Sequence, residues 1–397
     1  MSPRANLYLL TACMGLHQSA LSLNITVAAL AGAMLAGNQP FLATLPLAMS
    51  FVLLMVASAP VSFLIERIGW KSSFGVGALA GMIGCLLSAL AMVEQSFILF
   101  CIALSILGVA TAIGNYYRFA AAETQPPERR STAVSTVLTG GVAAAILGPF
   151  LAIKGSDLFV YSFAGSYLIM TGLYLAIVPL LVLVGFPSVG HTRSATLGGA
   201  AGRKLVAIAR QPIFLLAAIG AMLGYGTMNL IMVSTPTAMV GCGFVVADAG
   251  SVIQWHVLGM YVPSFFTGHL VRRFGAPSVM TLGAAIMVVC AIINLTGLAY
   301  VNFLSALVLL GLGWNFLYVG GSVLVTESYR REERTRTLGL NEFLVTASLA
   351  VTSLGSGAIY AGAGWQVLNL AIVPPLLLLG TAMAWFAVTR RRSVALT

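Results

Sequence analysis

SFLIERIGWK (residues 62–71) and GHLVRRFGAP (residues 268–277) decide the fold. Each follows a long apolar run, and each carries basic side chains into the gap before the next. Outward from these two loops the chain is almost wholly apolar: of 397 residues, 59% are hydrophobic and 8% charged, and the mean hydropathy is +0.99. A soluble domain carries roughly a quarter charged residues, so this chain belongs in a bilayer. Apolar runs between charge clusters and Gly/Pro breaks predict helices near 6–35, 41–65, 73–93, 97–122, 131–153, 159–185, 211–237, 247–271, 277–298, 302–326, 337–361 and 365–389. Twelve spans leave no room for a sizeable soluble catalytic domain. The expected class is an all-α integral membrane protein. The N-terminus shows no cleavable leader, so the first helix is expected to stay.

With both termini cytoplasmic, 18 of the 20 basic residues fall on the inner side, leaving Lys154 outside and Arg118 within a span. That placement explains the formal charge of +10 without nucleic acid. Residues 186–210 form the one long polar stretch and read as a cytoplasmic linker between two six-helix bundles, 1–185 and 211–397. The two quoted loops align in one ten-residue frame, and a second echo sets Glu123 and its following Pro-Glu-Arg-Arg against Glu327 and its following Arg-Arg-Glu-Glu-Arg. The run ESYRREERTR (327–336) reads as a solvated loop. Two parallel repeats point to a transporter.

The twelve-span layout with this loop in both halves resembles the major facilitator superfamily across essentially the whole chain. Ser62 and Glu66 stand where that superfamily usually has Gly and Asp, and Arg272 replaces the acid in the second copy. The resemblance implies a cytoplasmic latch through an acid near a helix N-terminus, here Glu66 with Arg67.

Cargo must be read from side chains rather than from the fold. Met228-Asn-Leu-Ile-Met232 lies in the seventh span and His256-Val-Leu-Gly-Met260 in the eighth. Residues four apart share a helical face. At about 1.5 Å rise per residue on an antiparallel hairpin, Met232 would stand level with His256 and Met228 with Met260. Three thioethers and an imidazole favour Cu(I) over hard cations. The alternative is a hydrogen-bonded core His in a Met-lined pocket, since Met is a common gap-filler.

The same pair of motifs resembles the CcoA-type copper importers, a bacterial branch of the superfamily that carries M-x-x-x-M in span seven and H-x-x-x-M in span eight. That resemblance implies copper import across the inner membrane for assembly of cbb3-type cytochrome oxidase. Copper would be the transported substrate, with no prosthetic group, and the partners would be the bilayer and a cytoplasmic copper chaperone or exporter, the carrier being a monomer.

Met239 and Cys242, toward the outer surface, are an expected entry relay or a plain hydrophobic helix end. Asn115, Tyr116, Tyr117 and Arg118, ending at Glu123, form an alternative polar site where an organic anion would bind. The Arg within that span needs an acidic or carbonyl partner. His17 reads as a satisfied core histidine, and His269 as a cap on helix carbonyls. No nucleotide loop, Ser/His/Asp arrangement or paired intramembrane carboxylates is present in the sequence, so an enzyme is not expected. The competing function is a proton-coupled carrier of an organic solute such as riboflavin.

Overall fold

Inside hydrocarbon each backbone N–H and C=O must find its partner within its own segment, so long apolar runs become helices. The computed structural model describes residues 3–37, 42, 45–156, 158–186 and 203–395. The linker expectation at 187–202, with His191 and Arg193, lies outside the described residues. The helices in chain order are α1 (Pro3–Ala36), α2 (Leu45–Val93), α3 (Phe97–Gly114), α4 (Tyr117–Glu123), α5 (Arg130–Leu138), α6 (Gly140–Ser156) and α7 (Ala164–Leu183). They continue as α8 (Leu205–Ala209), α9 (Pro212–Gly241), α10 (Val246–Tyr261), α11 (Ser264–Phe274), α12 (Ala276–Thr296), α13 (Tyr300–Thr326) and α14 (Arg334–Ala395). Among the described residues, nine helical stretches are long and apolar enough to cross a membrane.

The two decisive loops fold alike. Gly69 sits at φ 81°, ψ 168° inside α2, and Gly275, its partner in the ten-residue frame, at φ 86°, ψ 149° between α11 and α12. An L side chain is strained at such positive φ, so glycine turns the chain sharply there. Gly364, at φ 82° and ψ 176°, makes the corresponding break within α14. These turns, rather than long loops, separate consecutive spans. Other expected spans are interrupted where the sequence supplies polar or proline residues: at Asn115–Tyr116, at Thr139, and at Val262–Pro263.

The described chain forms two compact units. Unit 1 comprises Met1–Pro127, Thr136–Arg203 and Glu332–Thr346, and unit 2 comprises Glu128–Ser135, Lys204–Arg331 and Ala347–Thr397. Each unit thus takes one short stretch from the other sequence repeat. In unit 1, α2 packs on α3 and α7, and α1 on α6 and α7. In unit 2, α13 is central and packs on α9, α10 and α12.

Candidate functional site

In unit 1 the site begins with a break in a helix. α3 ends at Gly114, and the amides of Phe119 and Ala120 both bond the Tyr116 carbonyl, at 3.0 Å each. The Asn115 carbonyl therefore lacks its usual amide partner and accepts from Arg118 Nη1 at 2.7 Å. The second arm of the guanidinium reaches Glu342 in the first part of α14, Nη2 to Oε1 at 2.5 Å. Arg118 and Glu342 are each 1% exposed. The Arg118 guanidinium also lies over the Phe119 ring, 4.4 Å from its centroid.

Both kinds of partner that a buried Arg requires, a carboxylate and a carbonyl, are present. Asn341 Nδ2 donates to the same Glu342 oxygen at 2.9 Å, while its own buried Oδ1 has no partner among the described residues. Ser58 on α2 ties the cluster together. Its carbonyl accepts from the Tyr116 hydroxyl at 2.9 Å, and its hydroxyl accepts from Thr346 at 3.1 Å. Two charges removed from water persist only when paired and hydrogen-bonded, and ionisable groups at membrane depth mark functional sites by default. The cluster offers donors from Arg118 and acceptors from Glu342 and Asn341.

The structure divides the expected polar group. Tyr117 turns away into an aromatic cluster, stacked on Phe74 with centroids 4.1 Å apart and 6.3 Å from the His17 ring. His17 is buried and its Nε2 is unpartnered among the described residues, so it is not the satisfied core histidine expected. Glu123 belongs to a second ionic cluster. It accepts from Arg334 Nη1 at 2.9 and 3.0 Å and from Trp70 Nε1 at 3.1 Å. Next to Arg334, Glu333 is buried and takes the Arg203 backbone N–H at 2.9 Å and its Nε and Nη2 at 2.7 and 2.6 Å. Hydrogen bonds to the Glu333 carboxylate raise the pKa of the half-buried Arg203 above its ordinary value. The run 327–336 is therefore not a plain solvated loop: two of its residues anchor the start of α14. Glu66 and Arg67 are exposed. From their shared loop it is Trp70 that engages a carboxylate.

In unit 2 the H-x-x-x-M segment lies on α10, which packs against α13. His256, fully buried, places Nδ1 2.8 Å from the Leu307 carbonyl. Gly259 and Gly311 mark the crossing: a Cβ on Gly259 would come within 2.7 Å of the Val308 carbonyl. Asn315 then locks the register, donating to the Met260 carbonyl at 2.7 Å and to Ser264 at 2.6 Å, and accepting from Thr267 at 2.6 Å. Met228 is buried in α9 beside Asn229, whose amide donates to Ser353 at 2.8 Å and Thr352 at 3.2 Å in α14. Met232 is half-buried, Met239 buried and Cys242 exposed. His269 is exposed on α11. The polar residues that sequence reasoning left unassigned are Asn341 and Glu342. Their signal was an acid inside the apolar stretch 337–361.

Comparison with known proteins places this geometry. Residues 217–396 match the family model of the Major Facilitator Superfamily. The chain is 34% identical over 372 residues to the riboflavin transporter RfnT of Brucella anthropi, covering 94% of this chain and 93% of that protein. It is 29% identical to the uncharacterized MFS-type transporter YdeG of Bacillus subtilis, covering 88% and 84%. Among solved structures, the major facilitator transporter FucP in the outward conformation superposes with a TM-score of 0.76 at 16% identity, over 97% of this chain and 98% of the other. The human organic anion transporter MFSD10 gives 0.75 at 15%, over 96% and 100%. The relative matched along nearly the whole chain is named for an organic solute, and this overturns the expectation of copper import drawn from Met228, Met232, His256 and Met260. With two repeats turned by Gly69 and Gly275, and a relative more than 30% identical across almost its full length, the chain belongs to the Major Facilitator Superfamily.

Proposed function

We propose that this protein carries an organic solute of the riboflavin type across a bacterial inner membrane by alternating access, with both termini cytoplasmic. The observation that carries the reading is the 34% identity to a riboflavin transporter over 94% of the chain. The orientation rests on the placement of 18 of 20 basic residues on one side. The Arg118–Glu342–Asn341 cluster suits such cargo. A hydroxyl-rich solute both donates and accepts, and the cluster pairs fixed donors with buried acceptors in a setting where unmade hydrogen bonds are costly. The proton coupling of this reading would act at the buried Arg118–Glu342 pair, where protonation of Glu342 releases Arg118.

The test is uptake of radiolabelled riboflavin by a riboflavin-auxotrophic bacterium expressing the chain. Accumulation above the empty-vector control, reduced by a protonophore and by excess unlabelled riboflavin, is expected. Absence of uptake with the protein present in the membrane would overturn the reading. So would copper accumulation that depends on Met228 and His256.

A further inference from the structure

Unit 2 contains an aromatic cluster that the ionic site does not explain. Trp314 and Tyr318 on α13 stack with ring centroids 4.8 Å apart and planes 18° from parallel. Tyr225 from α9 meets Trp314 edge-on at 5.4 Å and Tyr318 edge-on at 5.3 Å, and Tyr261 from α10 meets Trp314 edge-on at 5.8 Å. Three helices therefore contribute to one aromatic wall. Its centre is fixed, because the neighbouring Asn315 is tied to α10 and α11 through Met260, Ser264 and Thr267.

Two observations point to a ligand rather than to packing alone. Trp314 is 1% exposed, yet its Nε1–H has no acceptor among the described residues. A buried donor without a partner is expensive, and indole N–H groups buried in native structures ordinarily find one. Tyr225, by contrast, is half-buried, the one ring of the four that is not fully enclosed. Gly224 lets α9 approach α13 closely here, since a Cβ would come within 2.9 Å of the Leu317 side chain.

We infer that Tyr225, Tyr261, Trp314 and Tyr318 form the docking site for the planar heteroaromatic ring of the carried solute, with Trp314 Nε1–H donating to a ring carbonyl or ring nitrogen. Stacking supplies affinity that is indifferent to ring substituents, and the single donor orients the ring. This inference rests on the organic-solute reading above.

The test uses the purified full-length protein in lipid nanodiscs, with three probes: riboflavin, lumichrome as the ring alone, and ribitol as the chain alone. Flavin fluorescence quenching reports stacking. Lumichrome is expected to displace riboflavin, and ribitol to do so poorly. Trp314→Phe keeps the stack and removes the donor, and should weaken both ring ligands about tenfold, the scale of one hydrogen bond. Trp314→Leu removes both and should weaken them by about a hundredfold. If Trp314→Leu does not fold by size exclusion, Tyr225→Leu, which removes the half-buried ring of the cluster, reads the same docking site.

Riboflavin uptake by the wild type with equal flavin binding in every folded variant overturns the docking site alone. Trp314-dependent lumichrome binding without riboflavin uptake keeps the docking site and overturns riboflavin as cargo. A wild type that binds neither ring ligand overturns both.

Discussion

The two units begin from the same ten-residue turn and diverge in what they bury. Unit 1 buries charge: Arg118 with Glu342 at its centre, and Glu333 gripped by Arg203. Around α13, unit 2 buries amides, hydroxyls and aromatic rings: Asn315 with Thr267 and Ser264, Asn294 with Asn369 at 2.8 Å, and the stack on Trp314. A paired buried charge costs more to disturb than a neutral hydrogen-bonded group, and a ring stack costs least in desolvation. The same helical frame thus supports one unit whose polar centre has a high penalty for being opened and another whose centre offers a receptive apolar wall.

The largest effect that should expose this contrast comes from splitting the buried ion pair. Arg118→Ala or Glu342→Ala leaves one charge unpaired, at a cost of about 3–5 kcal/mol. Both variants should lose most of their membrane abundance, read by fluorescence-detected size exclusion. The double variant Arg118→Leu with Glu342→Leu should recover abundance and not riboflavin uptake. If either single variant were as abundant as wild type, the distinction between the two units would fail at its strongest point. A neutral centre should yield more gently. Asn315→Leu removes three hydrogen bonds and strands the hydroxyl of Ser264, at about 1–3 kcal/mol for a buried group left without a partner, while Thr267 keeps its bond to the Pro263 carbonyl at 2.8 Å. Its melting point in nanodiscs should fall, and abundance should fall less than for the split ion pair.

Much of the fold was legible because hydrophobic length and glycine placement act locally. The apolar runs define the spans, and Gly69 and Gly275 occupy the turn of both loops. The site was less legible because its partners are distant in sequence. Arg118 announces a need for an acid, but Glu342 lies 224 residues away. Only the packing of α14's first part into unit 1 joins them. Copper import, by contrast, is overturned by the riboflavin transporter matched over 94% of the chain, a cargo that the spacing of Met228, Met232, His256 and Met260 does not report. At the Gly259–Gly311 crossing His256 places Nδ1 against the Leu307 carbonyl. Asn115 stands in the sequence as a polar residue, whereas it is its backbone carbonyl, freed by the helix break, that accepts from Arg118.

A smaller effect belongs to the partly exposed cluster at Glu123, where the side chains of Arg334 and Glu123 are 18% and 24% exposed. Such a pair contributes up to about 1 kcal/mol, too little to govern abundance. It can still bias a conformational equilibrium, since a contact made in one state favours that state by its own energy. Glu123→Gln should therefore leave expression unchanged and raise the maleimide labelling rate of Thr335→Cys, a position buried at the start of α14. An unchanged rate would mean that the cluster does not hold the start of α14 in place.

The smallest expected effect separates the members of the first decisive loop. Trp70 is 2% exposed and donates to Glu123 at 3.1 Å, with the Arg334 guanidinium 5.5 Å from its ring centroid. Trp70→Phe keeps the ring and its cation contact while removing one hydrogen bond, so the Thr335→Cys labelling rate should rise modestly, less than in Glu123→Gln. Glu66, although it occupies the acidic position of the loop, is exposed. Substitution of a surface residue away from caps, packing and ion pairs changes stability by no more than about 0.5 kcal/mol. Glu66→Ala should leave both melting point and labelling rate where they are. If Glu66→Ala instead raised labelling above Trp70→Phe, the loop would latch through its acid, and the Trp70–Glu123 contact would be packing rather than a restraint on α14.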